Sequence, residues 1–592
     1  MKMVAAAILA ASLVGTNAYA GDPPAPAKKH AAKKQPPKPT VEEQINALRQ
    51  EFQGQIDGLK SDLATKDAQL KQAQQAAADA QAAAQKAEAD ATAQQSALTE
   101  NSAAVSTLQS TVTDMKAANA SAVSSFSDEA ASIKKAIASP EALHYKGITL
   151  SPAGSFIAAE TVWRQGGTGG GLNTPFTGVP LDHSEAAQLS EFQGSGRQSR
   201  LAIKATGKLD SMTLSGYYEM DWLSSGVTSN NNQSNSYTLR QRQLWADAKL
   251  TDGWDFSGGQ GWSLAAETTK GLTRGTEILP SSIDPQYMAG FVWTRQYSFR
   301  VSKDFGKKFF TGISAENAET LNPGGQNLPT NLLLTTVGST GGLYDNQSNY
   351  SYNLTPDFVA KIAIEPGWGH WELFGIGRSF RDRIYPTGGT PFNNTTWGGG
   401  IGGGFRGPLA GKKVTIGLKG LYGEGVGRYG SSTIADITLR PDATISPLHG
   451  FSAISTLEMN PTSRLNLYFN YGGDYIGRDY TIDPVSGKEV GYGTYTANMS
   501  GCNTENASSA ANASGNPGAP SNCGANTKDV QEFSAGWWYN IYAGPKGRLR
   551  QGFQYALFER NLWSGTGGPL NPNGGASGTD NMWWTSFRYY LP

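Results

Sequence analysis

Ten charged side chains define what this chain can do chemically. Arg200 and Lys204 alternate with Leu201, Ile203 and Ala205. In an extended backbone the cations and Gln198 then share one face and the apolar residues the other. Glu219 and Asp221 fall on the equivalent face of the next segment, and Arg300, Lys361, Arg550 and Arg588 on those of later ones. Arg240 and Arg242 share parity with Leu244 and Ala246, which leaves two readings open, a β-bulge or a contact between protomers. Fixed charges on one strand face and apolar residues on the other are the chemistry of a wall between water and lipid. Charges facing the water would choose the sign of what passes. Cations outnumber anions in this set, which tilts the expectation toward anions such as carboxylates.

Nothing comparable supports catalysis. None of the five histidines (His30, His144, His183, His370 and His449) has a second ligand at metal spacing, and neither HExxH nor GxSxG occurs. No enzyme activity, metal or cofactor is therefore expected. The run GGGIGGGFRG (398–407) superficially matches a phosphate-binding loop, a weak signal when alone. Its alternation puts Trp397, Ile401 and Phe405 on one face and only glycine on the other, as in a wall kept bare for a solute or an infolded loop. Cys502 and Cys523, the only cysteines, lie in a loop rich in Gly, Asn, Ser and Ala. A disulfide is the simplest reading, and a metal pair is weaker because the loop has no His.

The elements that must carry these residues are short amphipathic strands. From about residue 145 to 592 the chain repeats strand, tight turn, strand, long polar loop. The clearest strands are 199–207, 212–223, 236–250, 288–303, 412–424, 463–475, 531–542, 547–560 and 581–591. Seven short turns alternate with eight long loops, near 165–196, 224–235, 268–287, 318–348, 382–394, 427–441, 477–529 and 561–579. That alternation predicts an all-β transmembrane barrel of about sixteen antiparallel strands with both ends on the short-turn side. The third long loop carries Lys270, Arg274, Glu277 and Asp284 among apolar residues. It reads either as a constriction folded into the barrel or as an ordinary surface loop. Mean hydropathy is −0.41 and no apolar run reaches the length of a membrane helix. Lys+Arg and Asp+Glu balance at 49 each, which excludes the footprint of a nucleic-acid binder.

The first 140 residues differ in kind. Residues 1–20 read as a signal peptide, with Lys2, an apolar stretch from Val4 to Val14, and Ala18-Tyr19-Ala20 before the cut. Residues 21–40 are a Pro/Lys-rich linker. Its lysines leave open a solvated tether or a contact with the anionic cell-wall polymer peptidoglycan. Residues 41–138 place apolar residues at steps of three and four (Ile45, Leu48, Phe52, Ile56) and later of seven (Leu98, Val105, Val112). This predicts a long periplasmic α-helical coiled coil ahead of the barrel. Asn119 interrupts the seam, either fixing its register or marking a loosely packed point.

The arrangement resembles the DcaP-like porin family. TLRQRQLWADAKL (238–250) followed by WDFSGGQGWSL (254–264) is similar to the Arg-rich strand and the Gly-Gln-x-Trp strand of such porins. The resemblance implies a homotrimer in outer-membrane lipid that passes small anionic solutes, including dicarboxylates. A structural tether between outer membrane and cell wall, with the barrel mainly an anchor, is the rival reading. If the coiled coil serves oligomerisation, deleting 41–138 leaves single-channel conductance intact and lowers the temperature at which the oligomer dissociates. Unchanged thermal dissociation on a gel would remove that role.

Overall fold

The structure, a computed structural model, describes residues 113, 115, 116, 143–224, 238–284, 286–336, 350–409, 413–505, 522–567 and 575–592. The expected signal peptide and linker lie outside the described residues. So does the coiled coil, apart from Thr113, Met115 and Lys116, which are helical.

Alternating residues build sixteen strands: β1 (Phe156–Arg164), β2 (Glu191–Ser195 continued by Arg200–Lys208), β3 (Met212–Ser224), β4 (Thr238–Leu250), β5 (Trp254–Trp262), β6 (Arg295–Phe305), β7 (Phe309–Glu316), β8 (Asp357–Ile364), β9 (His370–Ile384), β10 (Phe392–Leu409), β11 (Val414–Glu424), β12 (His449–Met459), β13 (Leu465–Ile476), β14 (Thr527–Gly544), β15 (Gly547–Leu562) and β16 (Ser577–Tyr590). Each pairs antiparallel with the next. β16 then pairs with β1, from Met582 opposite Arg164 to Tyr590 opposite Phe156, and the sheet closes on itself. A closed sheet has no free edge, which any strand structure in lipid requires.

The two faces follow the period of two. On β13, Phe469 and Tyr471 are exposed outside while Tyr468, Asn470 and Asp474 are buried inside. Among the described residues every strand except β15 exposes at least one large apolar side chain, such as Ile203, Leu244, Phe299, Leu373 and Phe533. Trp368, Trp371 and Phe405 cluster at the short-turn end, with Trp371 and Phe405 centroids 4.4 Å apart. An apolar outer band bordered by aromatics matches a bilayer and its interface. The turns are tight enough to need glycine. A Cβ on Gly253 (φ +97°), between β4 and β5, would lie 2.7 Å from the carbonyl oxygen of Asp304.

The inside is not the open tube that the strand pattern alone suggests. The third long loop, L3 (263–294), and the sixth, L6 (425–448), fold into it and carry apolar residues of their own. Leu264, Leu272 and Val292 of L3 pack with Val426 and Tyr429 of L6 and with Phe374 and Val359 of the wall. Residues 288–294, read from sequence as the start of a strand, belong to L3. Trp293 N–H donates to the Tyr429 carbonyl (2.9 Å) and its indole to Ser431 Oγ (2.9 Å). At the long-loop end, Cys502 and Cys523 form a disulfide. Cys502 lies in an apolar cluster with Met499 and Leu562, and Cys523 packs against it.

The glycine face of β10 is filled by wall side chains and, as one of its two readings had it, by an infolded loop. Phe374 from β9 lies across Gly402, Phe380 against Gly398, and Val426 of L6 against Gly400. A Cβ at Gly402 would stand 2.2 Å from Phe374 Cζ and 2.5 Å from the Gly420 carbonyl oxygen. Gly402→Ala is therefore expected to destabilise the barrel by about 1–3 kcal/mol, read as an earlier heat-induced mobility shift on a gel.

Candidate functional site

L3 organises the interior. From β5 it descends as a hairpin, with Thr268 bridged to Glu277 and Ile278 N–H donating to the Glu267 carbonyl (2.9 Å). At its tip, Gly271 N–H donates to Glu365 in the turn after β8 (2.8 Å). The loop therefore reaches from the long-loop end of the barrel to the short-turn end. It then returns across the lumen, where Ala289 N–H donates to Glu532 on β14 (2.9 Å) and Ile283 N–H to Gln554 on β15 (2.6 Å).

Ion pairs hold it there. Arg300 on β6 meets Glu277 at 3.2 Å and donates to the Trp262 carbonyl at 2.8 Å. Arg406 on β10 meets Glu267 at 2.7 Å. Lys361 on β8 donates to the Ala266 carbonyl (2.7 Å) and pairs with Glu372, which Lys419 also reaches. Arg274 of L3 donates to Ser257 Oγ (2.9 Å). Arg588 on β16 pairs with Glu160 (2.6 Å) and donates to the Ile283 carbonyl (3.0 Å). Asp284 accepts from Gln286 N–H (2.7 Å) and the Thr174 hydroxyl. Burial pushes its carboxyl up to about 7. L6 shares one of these anchors. Asp474 on β13 accepts from Gly290 N–H of L3 and Ser432 N–H of L6, both at 3.0 Å.

The cluster on β2–β4 stands opposite. Arg240 holds Asp221 in a fork at 2.8 and 2.9 Å. Arg242 pairs with Glu219, reaches Asp221 at 3.4 Å and donates to the Tyr287 hydroxyl of L3. Arg200 stands 3.5 Å from Glu219. A bulge explains the parity of these arginines. Glu219 faces Gln243 but Met220 faces Gln241, so Arg242 is the extra residue. Between this wall and the L3 hairpin lies a cavity of about 330 Å³, lined by Arg200, Lys204, Arg242, Glu219, Glu277 and Trp245 among others.

The structure thus brings Arg200, Glu219, Asp221, Arg240 and Arg242 together. It places Arg300 and Lys361 under L3 and Arg588 against Glu160. Arg550 stacks on Trp538 (3.9 Å), and Lys270 is exposed at the hairpin tip. The expected excess of cations shrinks once their partners are counted. Among the described residues only Lys204 and Arg550 of the predicted wall cations have no carboxylate within ion-pair distance. Sequence reasoning missed Glu160, Glu267, Glu372, Lys419 and Arg406, and also Arg378, which pairs with Asp357 and Asp436. Strand parity was enough to place Glu160 and Glu372 inside, since each alternates with outward neighbours such as Trp371 and Leu373. The burial of L6 had one signal, the apolar residues Ile434, Ile437, Leu439 and Ile445 within a loop.

A closed sixteen-strand antiparallel barrel with a long loop folded inside is the porin fold. No protein-family profile and no curated protein matches this chain. Among solved structures, the outer membrane channel DcaP of Acinetobacter baumannii is similar with a TM-score of 0.50 and 13% identity, covering 75% of this chain and 98% of that one. This is a likeness of fold, in line with the resemblance seen in the sequence. An anion-selective porin from Comamonas acidovorans (TM-score 0.37, 10% identity, 75% of this chain and 99% of that one) and Pseudomonas putida OprB (TM-score 0.38, 10% identity, 78% and 97%) are more distant.

Asp474→Ala removes the carboxylate that L3 and L6 share. Each charge-assisted bond contributes about 1.5–3 kcal/mol, so both loops should loosen. The expected result is a larger and noisier single-channel conductance than that of the unmodified chain.

Proposed function

We propose that this chain is an outer-membrane diffusion channel for small hydrophilic solutes that favours anions. The short turns face the periplasm and the long loops the cell exterior, the usual orientation of such barrels. Transport is passive, through water beside L3, and L3 sets the size limit. The observation that carries this reading is the cavity between L3 and β2–β4. Arg200, Lys204 and Arg242 line it against two carboxylates. Glu219 is neutralised by the two arginines and Glu277 by Arg300. Lys204 is left without a carboxylate in ion-pair distance among the described residues, and so sets the local sign. The solved neighbour described as an outer membrane channel fits the channel part of this reading.

The interior charges argue for a channel over an enzyme. Among the described residues, Arg300, Arg406 and Arg588 are spent holding L3 and the wall together. Assembly as a homotrimer belongs to the same proposal: the heptads of 41–138 support self-association, and the number three rests on the family resemblance.

The test is single-channel recording in a planar bilayer with reversal potential under a salt gradient. Anion-selective openings in multiples of three are expected, and Lys204→Gln should lower the anion-to-cation permeability ratio while leaving conductance close to that of the parent. Cation selectivity would remove the anion preference, and absence of conductance would remove the channel.

A further inference from the structure

A second cavity, of about 620 Å³, opens at the short-turn end on the other side of the L3 hairpin. The turn between β7 and its predecessor supplies Lys307 and Lys308, the turn after β8 supplies Glu365, and the hairpin tip supplies Thr269 and Lys270. His370 and Arg406 form its inner wall. Its charge is one-sided. Arg406 is matched by Glu267 and Glu458, at 2.7 and 3.1 Å. Glu365 is committed to His370 Nδ1 (2.7 Å) and to the Gly271 N–H (2.8 Å). Lys270, Lys307 and Lys308 are exposed, and among the described residues no carboxylate comes within ion-pair distance of them. Three uncompensated ammonium groups around one concavity attract negative charge over about a Debye length, roughly 8 Å at physiological ionic strength.

The cavity is also fixed in shape. The hairpin tip that overhangs it is latched from below, by Glu365 on the Gly271 N–H and by His370 Nε2 against Thr268 Oγ1 (3.1 Å). Gly369 and Gly407 cannot be filled in, because a Cβ at either would stand 2.6 and 2.4 Å from the ring of Phe405. A site whose walls are held by buried polar contacts does not have to be ordered by its ligand, which lowers the cost of binding.

We propose that this cavity binds a small oxyanion carrying two or more negative charges, a phosphate or a di- or tricarboxylate. The anion bridges Lys270 on L3 to Lys307 and Lys308 on the wall. Occupancy then adds a tie between the loop and the barrel at the hairpin tip, where Thr269 and Lys270 are exposed. Only the assignment of this face to the periplasm rests on the channel reading. The site itself rests on the cavity and its charges.

Citrate titrated calorimetrically into the detergent-solubilised full chain tests it. One site per protomer is expected. The triple variant Lys270→Gln, Lys307→Gln, Lys308→Gln should bind about tenfold more weakly, as befits the loss of three partly solvated charge contacts. Lys488→Gln, at an exposed lysine of the seventh long loop outside both cavities, should leave the affinity unchanged. Inorganic phosphate competing with citrate would show that the site reads oxyanion charge rather than the carbon skeleton, and its failure to compete would restrict the ligand to carboxylates. Absence of citrate binding, equal affinity in the triple variant, or loss of affinity in Lys488→Gln would overturn the proposal. These readouts do not depend on conductance, so a barrel that binds citrate here and passes no current would uphold the site and remove only the channel.

Discussion

Closure of the sheet between β16 and β1 is the constraint on which everything else in this structure depends. In lipid an unpaired N–H or carbonyl costs several kcal/mol, so a strand edge cannot be left open. Once the ring of sixteen is complete, every strand must show lipid one face and the lumen the other. The period of two, local and short-ranged, thereby becomes a global partition of the chain into an apolar outside and a charged inside. A place where the period breaks, the bulge at Arg242, shows how strict the partition is. A single extra residue turns two arginines from the lipid face to the interior.

The interior solves a second problem with the same residues. A loop that enters the barrel brings backbone groups and side chains out of bulk water, and each needs a partner there. The wall supplies them as charges. Arg300, Lys361 and Arg588 each reach a carbonyl of L3, those of Leu272, Ala266 and Ile283, as well as a carboxylate, and Asp474 and Glu532 accept its N–H groups. Buried ion pairs of this kind are poor contributors to net stability and good at excluding alternative arrangements. Here they specify where the loops lie. A lumen charge in this barrel therefore has two roles, as an anchor and as part of the electrostatic field a solute meets.

How much of this was legible in the sequence divides along the same line. Strand number, the alternation of short turns and long loops, and the inward sides of Arg200 on β2 and Arg588 on β16 follow from local periodicity, and they match the structure. The disulfide follows from two cysteines in one loop. What could not be read was anything decided by contacts between distant segments. Phe291, Val292 and Trp293 look like strand residues because they are apolar. They are apolar because they meet Tyr429 and its neighbours more than 130 residues away. The glycine face of β10 looks empty for the same reason, since its filling comes from Phe374, Phe380 and Val426 on other elements. Among the carboxylates opposite the predicted cations, Glu160 meets Arg588 only because β16 closes on β1, at a separation of 428 residues.

L3 is built of two stretches with different partners. The descending hairpin touches wall close to it in the chain: Arg274 meets Ser257 just before it, and Arg300 meets Glu277 and Lys361 meets Ala266 from after it, all within 95 residues. The returning stretch meets Asp474, Glu532, Gln554 and Arg588, at separations that rise from 184 to 305 residues. These separations set the cost of each contact. The hairpin finds its half of the wall among neighbours, where loop closure is cheap. Its other flank meets strands from the far end of the chain, where closure costs more. The seam that seals the sheet is then also the step that encloses the loop.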